Sequence, residues 1–201
     1  MSLVASLLFN AVVAAGPATP LPWFHFLDDY PMKAFDRNWQ GTTVMALTVS
    51  PEGRPVACAI DQSSGYEVLD RQTCMIGMKR PRFTPAYGPD GKAVYGVYRS
   101  QIVWSRPDRD YMQRDPGPDL EVQIEALPAG ASQPPAVKLS YFVDAAGNLS
   151  QCTPYPENRQ PQALVDAACA QLLAKLPHAP VTVHGAAVPA VKTAAVLFTS
   201  K

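Results

Sequence analysis

Charge is scarce in this sequence. Asp, Glu, Lys and Arg make up 17% of its 201 residues, against about 25% in ordinary soluble domains. The 17 basic and 17 acidic side chains cancel, so the general electrostatic footprint of a nucleic-acid binder is missing. No apolar run reaches the ~20 residues that a membrane-crossing helix needs. There is no Cys-x-x-Cys pair and no His-x3-His pair, which removes the common zinc and thioredoxin-like patterns. There is no Gly-x-Ser-x-Gly elbow and no glycine-rich phosphate loop, which leaves serine hydrolysis and nucleotide binding unsupported. The three histidines, His25, His178 and His184, stand apart from any carboxylate cluster. No acid–base or nucleophile set can be assembled. The sequence therefore speaks against an enzyme and calls for no metal, cofactor or small-molecule substrate.

Proline, by contrast, is abundant, at 21 residues, and favours short strands and stiff loops over a helical bundle. Hydrophobic residues reach 47%, enough for a packed core. Residues 1–16 (MSLVASLLFNAVVAAG) carry no charged side chain, and Val13-Ala14-Ala15 resembles a small-residue cleavage site. The expectation is an exported chain with a signal peptide over 1–16. A short membrane anchor or a buried N-terminal helix are the alternatives. The aromatic-rich stretch Leu21 to Leu27 is expected to pack onto the body that follows or to touch a partner or membrane surface. The basic run Lys79, Arg80, Arg82 suits a solvated helix end or a binding role.

The four cysteines, Cys58, Cys74, Cys152 and Cys169, fall into an internal repeat. Cys58 follows Gly53 by five residues, as Cys152 follows Gly147. Pro85 follows Cys74 by eleven, as Pro180 follows Cys169. Trp104 follows Gly91 by thirteen, as Phe198 follows Gly185. Leu69-Asp70 precedes one second cysteine and Val165-Asp166 the other. These offsets indicate a unit of roughly seventy residues present twice. An exported chain with an even cysteine count suggests disulfides. The repeat selects Cys58–Cys74 and Cys152–Cys169, with four free thiols as the alternative.

Each unit reads as strand, strand, helix, strand. Val44–Val49 and Pro55–Ile60 flank a Pro51-Glu52-Gly53 turn. Ser64 and Glu67 fit a capping box for a helix carrying Leu69, Thr73 and Ile76. Ala93 to Trp104 closes the unit. In the second unit Val137–Val143 and Leu149–Cys152 form the hairpin. A helix starts near Pro161 and stops at Pro177. Val188 to Thr199 closes it. The predicted fold is α+β: two small units, each a three-stranded antiparallel sheet with helix on one face. The domain reading is 1–16 leader, 29–105 first unit, 106–119 linker and 120–201 second unit. Leu120 to Ile124 is a candidate extra strand of the second unit.

The first unit resembles the C-terminal domain of TonB-type energy transducers. The resemblance rests on an ordered set: Tyr30-Pro31, Gly41-Thr42-Thr43-Val44, Ser63-Ser64-Gly65, Leu69-Asp70 and Phe83-Thr84-Pro85-Ala86. The second unit looks like a degenerate copy without Ser-Ser-Gly and Phe-x-Pro-Ala. The resemblance implies a periplasmic, non-enzymatic protein that contacts a protein partner, such as a peptide of an outer-membrane transporter. Its mode would be addition of an extended segment to a sheet edge. The candidate edge is the last strand of the first unit, with Tyr95, Val97, Arg99, Gln101 and Val103 on one face, Arg99 and Gln101 staying solvated. The alternatives are a strand covered by the second unit, and a structural or scaffold module with no role in transport.

Overall fold

The computed structural model describes residues 16–21, 29–106 and 117–200. The expected leader over 1–16, the stretch Leu21 to Leu27 and the 106–119 linker lie largely outside the described residues. The first half holds β1 (Thr19–Pro20), α1 (Met32–Asp36), β2 (Gly41–Val49), β3 (Pro55–Gln62), α2 (Glu67–Lys79), β4 (Phe83–Thr84), β5 (Ala86–Tyr87) and β6 (Ala93–Trp104). The second half holds β7 (Leu120–Ile124), β8 (Ala136–Val143), β9 (Leu149–Pro154), α3 (Gln162–Lys175), β10 (Val181–Val183), β11 (Ala186–Val188) and β12 (Ala190–Ser200). No helix among the described residues is long and apolar enough to cross a membrane.

Both halves obey the same local logic. In β2, alternation turns Met45, Leu47 and Val49 to one face, where all are buried. The turn after it needs a residue at positive φ. Gly53 supplies φ +74°, and a Cβ there would stand 2.1 Å from the Phe83 carbonyl oxygen. Gly147 does the same after β8, at φ +89°. The turns share their bonding: Gly53 N–H donates to Ser50 O, and Gly147 N–H to Asp144 O. Each helix is then joined to its hairpin by a disulfide. Cys58 on β3 is bonded to Cys74 on α2, and Cys152 on β9 to Cys169 on α3, with Cα–Cα distances of 5.7 and 5.6 Å.

The two antiparallel sheets, β3-β2-β6 and β12-β8-β9, are not separate. They join through a parallel contact of β6 with β12, giving the continuous order β3-β2-β6-β12-β8-β9. The contact is brief, pairing Tyr95 with Ala190 and Gly96 with Val191. Beyond it the strands part. On the side where it met β6, β12 then carries β7 in parallel, from Val196 opposite Leu120 to Ser200 opposite Ile124.

The register also sets which face each helix covers. Leu69 and Ile76 of α2 pack with Ile102 and Trp104, which share a face with Gly96 by alternation. Gly96 is opposite Val191, so Val191 lies on the α2 face. Val196 and Phe198 have the other parity, and they pack with Leu164, Ala168 and Leu172 of α3. The two helices therefore lie on opposite faces of one sheet.

A segment ahead of the first half is stitched onto it. Gly16 exchanges two backbone hydrogen bonds with Tyr87, Thr19 and Pro20 pair with Thr84 and Phe83, and Leu21 N–H donates to Arg82 O. Ala18 is buried between these contacts. A Cβ at Gly96 would sit 2.7 Å from the Ala18 Cβ, so the close crossing requires glycine.

Candidate partner-binding edge

The motif residues of the first half hydrogen-bond and pack around the start of α2 and the ends of β6. Asp70, on the first turns of α2, points back at the preceding loop. Its carboxylate accepts from the Thr43 hydroxyl at 2.9 Å, the Ser64 N–H at 2.9 Å, the Ser64 hydroxyl at 2.8 Å and the Ser63 hydroxyl. Burial raises the cost of its charge, but these four donors outweigh it and hold the carboxyl below its ordinary range. The expected capping box needs correction. The helix begins at Glu67 with Tyr66 as N-cap, and Glu67 is exposed and paired with Arg71 at 3.3 Å. Gly65, at φ +92°, turns the chain so that the helix starts two residues later than a Ser64 cap requires. Ser64 Oγ instead accepts the Tyr66 N–H at 3.2 Å, and Asp70 takes the role expected of Glu67.

The other motif residues meet around the ends of β6. The Tyr30 hydroxyl donates to the Trp39 carbonyl, and its ring stands edge-on to Trp104, centroids 5.6 Å apart. Pro31 is the N-cap of α1. Trp104 is buried and donates through Nε1 to the Thr73 hydroxyl at 3.0 Å. Phe83 N–H donates to Gly53 O, and its ring packs against Tyr98 at 5.1 Å. Pro85 separates β4 from β5. Leu69 is buried in the core of the first half.

The strand itself is not a terminal strand of the sheet. On one side β2 pairs with it from Gly96 opposite Val49 to Trp104 opposite Gly41. On the other side β12 takes Tyr95 and Gly96. From Val97 to Trp104 that second side borders no strand among the described residues. The sequence could not show this, because the join is a two-residue contact between segments almost a hundred residues apart.

Arg99 and Gln101 differ from the expectation that they stay solvated. Arg99 reaches two carboxylates, through Nε to Asp61 of β3 at 2.9 Å and through Nη1 to Asp119 at 3.0 Å. Asp119 precedes β7 and is a clasp in its own right. Its second carboxylate oxygen accepts the Ala195 N–H at 2.7 Å, and its own N–H donates to the Ala195 carbonyl at 2.9 Å. The Tyr141 hydroxyl is pushed up to about 12, chiefly by burial and secondarily by the charge of Asp119. The side-chain oxygen of Gln101 is buried and finds no hydrogen-bond partner among the described residues. Tyr95, Val97 and Val103 are half-buried.

Sequence reasoning missed Asp61 and Asp119 because they come from three-dimensional convergence of β3, β6 and the start of β7. It also set Asp166 beside Asp70. Counting back from the helix cysteines puts Val165, not Asp166, at the Asp70 position. Val165 is buried, while Asp166 is exposed and accepts from Gln162 at 2.8 Å. Among the described residues no group of three or more metal-ligating side chains comes together.

Residues 28–105 match the family model described as the Gram-negative bacterial TonB protein C-terminal domain. The α+β architecture of this half is TonB C-terminal-like. A curated relative, Protein tonB2 of Pseudomonas aeruginosa, is 38% identical over 58 residues, covering 29% of this chain and 21% of that protein. The match thus spans about a fifth of that relative's length. No solved structure matches the chain.

Proposed function

We propose that this chain is a non-enzymatic protein of the Gram-negative periplasm that accepts an extended segment of a protein partner, such as an outer-membrane transporter peptide, along β6. Residues 29–105 form the binding unit, 106–119 link it to a degenerate second copy over 120–201, and residues 1–16 direct export or anchor the chain. The observation that carries this reading is the asymmetry of the cleft where β6 and β12 part. The β12 side already bears a parallel strand, β7. The β6 side, from Val97 to Trp104, bears none among the described residues. Strand addition uses backbone groups, which accounts for a site without reactive side chains. The internal precedent sets the polarity: the partner runs parallel to β6, as β7 runs parallel to β12.

A second reading is a scaffold in which the halves close each other's edges. The Tyr95 and Gly96 pairing with β12 favours it. Hydrogen exchange with a synthetic copy of residues 118–124 (PDLEVQI) separates the two. Strand acceptance predicts that the outward amides of Val97–Trp104 exchange readily in the free protein and slow when the peptide is added. Gln101→Pro, its fold checked by circular dichroism, removes that protection. Amides already protected in the free protein, and unmoved by peptide, establish the scaffold instead.

A further inference from the structure

The two sides of the cleft differ in one more way. Arg99 and Thr193 each lie eight residues after a turn glycine, Gly91 and Gly185. In the second half Thr193 and Tyr155, three residues after Cys152 as Asp61 is after Cys58, occupy the two places and carry no charge, and β12 carries its strand. In the first half the corresponding pair is ionic, Arg99 with Asp61, and Arg99 spends its remaining arm on Asp119. Asp119 begins β7. One residue therefore anchors β7 to Ala195 and holds its start against β6.

We propose that the Arg99–Asp119 ion pair is an autoinhibitory latch on the β6 edge, and that the segment it admits carries a carboxylate. The inference rests on the strand-accepting reading above. Asp119 is a bound mimic of the ligand: a carboxylate at the head of an extended strand. An incoming segment lies along Val97–Trp104 only when Asp119 leaves Nη1 of Arg99, and its own carboxylate then takes that arm while Asp61 keeps Nε. All three side chains are about one-third exposed, at 29% for Arg99, 35% for Asp61 and 29% for Asp119. A pair this wet is weak enough to exchange partners. The β6–β12 join next to it is only two residues long, so release at Arg99 is a local opening rather than separation of the halves.

The test uses the full chain and the fluorescently labelled PDLEVQI peptide, with a second peptide carrying asparagine in place of its aspartate. Asp119→Asn keeps an acceptor for the Ala195 N–H but removes the negative charge that faces Arg99. It is expected to tighten binding of the acidic peptide about two- to fivefold, the scale of one exposed ion pair. It is expected to leave the asparagine peptide the weaker ligand. Arg99→Gln is expected to bind both peptides alike. Equal affinity of wild type and Asp119→Asn for the acidic peptide, with Val97–Trp104 still protected on binding, overturns the latch and leaves strand acceptance standing. Absence of peptide-dependent protection in wild type and in Asp119→Asn overturns both.

Discussion

The two halves share one plan and fill it with different chemistry. Where the first half buries polar pairs, the second buries apolar ones at the corresponding places. Thr43, seven residues before Ser50, binds Asp70. Val137, seven residues before Asp144, and Val165 occupy those two places in the second half, both buried in its core. Trp104 donates to Thr73, the residue before Cys74. Phe198 stands in the Trp104 position and Ala168, the residue before Cys169, in that of Thr73, again both core residues. The disulfides and turn glycines are common to both. At these places the turn glycines and staples are shared, and the Thr43–Asp70 and Trp104–Thr73 pairs are an addition of the first half. A buried hydrogen-bonded network specifies geometry at the expense of tolerance, which suits a strand that must present its backbone in one register. The apolar version suits a half whose edge is already covered.

This comparison can be broken in several ways. The largest effect belongs to the staples. Each bridge closes a loop of nearly equal length, with sequence separations of 16 and 17. Replacing Cys58 and Cys74 by alanine, or Cys152 and Cys169, is expected to cost about 3 kcal/mol in either case. Urea unfolding of the two double variants measures it, and a clear inequality would show that the halves do not rely on their staples alike.

Next in size is Trp104→Phe, which installs the second half's residue in the first. It deletes the Nε1 donor and leaves a small void, for an expected loss of about 2 kcal/mol. Adding Thr73→Ala completes the apolar pair. The double variant is expected to lose less than the sum of the single losses, because the two residues share one interaction. Strict additivity in a double-mutant cycle would deny that they act as a unit.

The smallest effect is that of Asp70→Asn, about 1 kcal/mol at neutral pH, and its signature is the pH dependence. Asp70 is held below its ordinary value in the folded state. Its contribution is therefore present above the unfolded carboxyl value and lost as pH falls through the folded one. Thermal melts between neutral and acidic pH are expected to show a flatter acid limb for Asp70→Asn than for wild type. An unchanged limb would mean that other carboxyls govern acid unfolding.

Local order was the legible part of this molecule. β6 starts and stops at Ala93 and Trp104, as the pattern predicts, because Gly91 and the linker punctuate it at both ends. The hairpins were readable from their glycine turns, and the cysteine offsets singled out the pairs that the structure joins. Leu120 to Ile124 is a strand, as its alternation suggests. What could not be read depends on contacts distant in the chain. The parallel β6–β12 join rests on Tyr95, Gly96, Ala190 and Val191, which carry no motif. The opposite placement of α2 and α3 follows from that join alone. Asp119 reads as an ordinary linker residue until Arg99 and Ala195 meet it. Ser64 and Glu67 satisfy a capping-box spacing that positive φ at Gly65 sets aside, so the helix starts at Glu67.

The stitching of Gly16 to Leu21 onto β4 and β5 also bears on mechanics. These residues would otherwise count as tether, lengthening the reach of whatever precedes them. Bonded in place, they contribute no slack. A load applied ahead of Gly16 enters the body at one fixed point beside Tyr87. It reaches β6 through Ala18 and Gly96, close to where β6 and β12 meet. Whatever is joined at that end therefore meets the body through a backbone-bonded segment packed against β6 rather than through a loose cord.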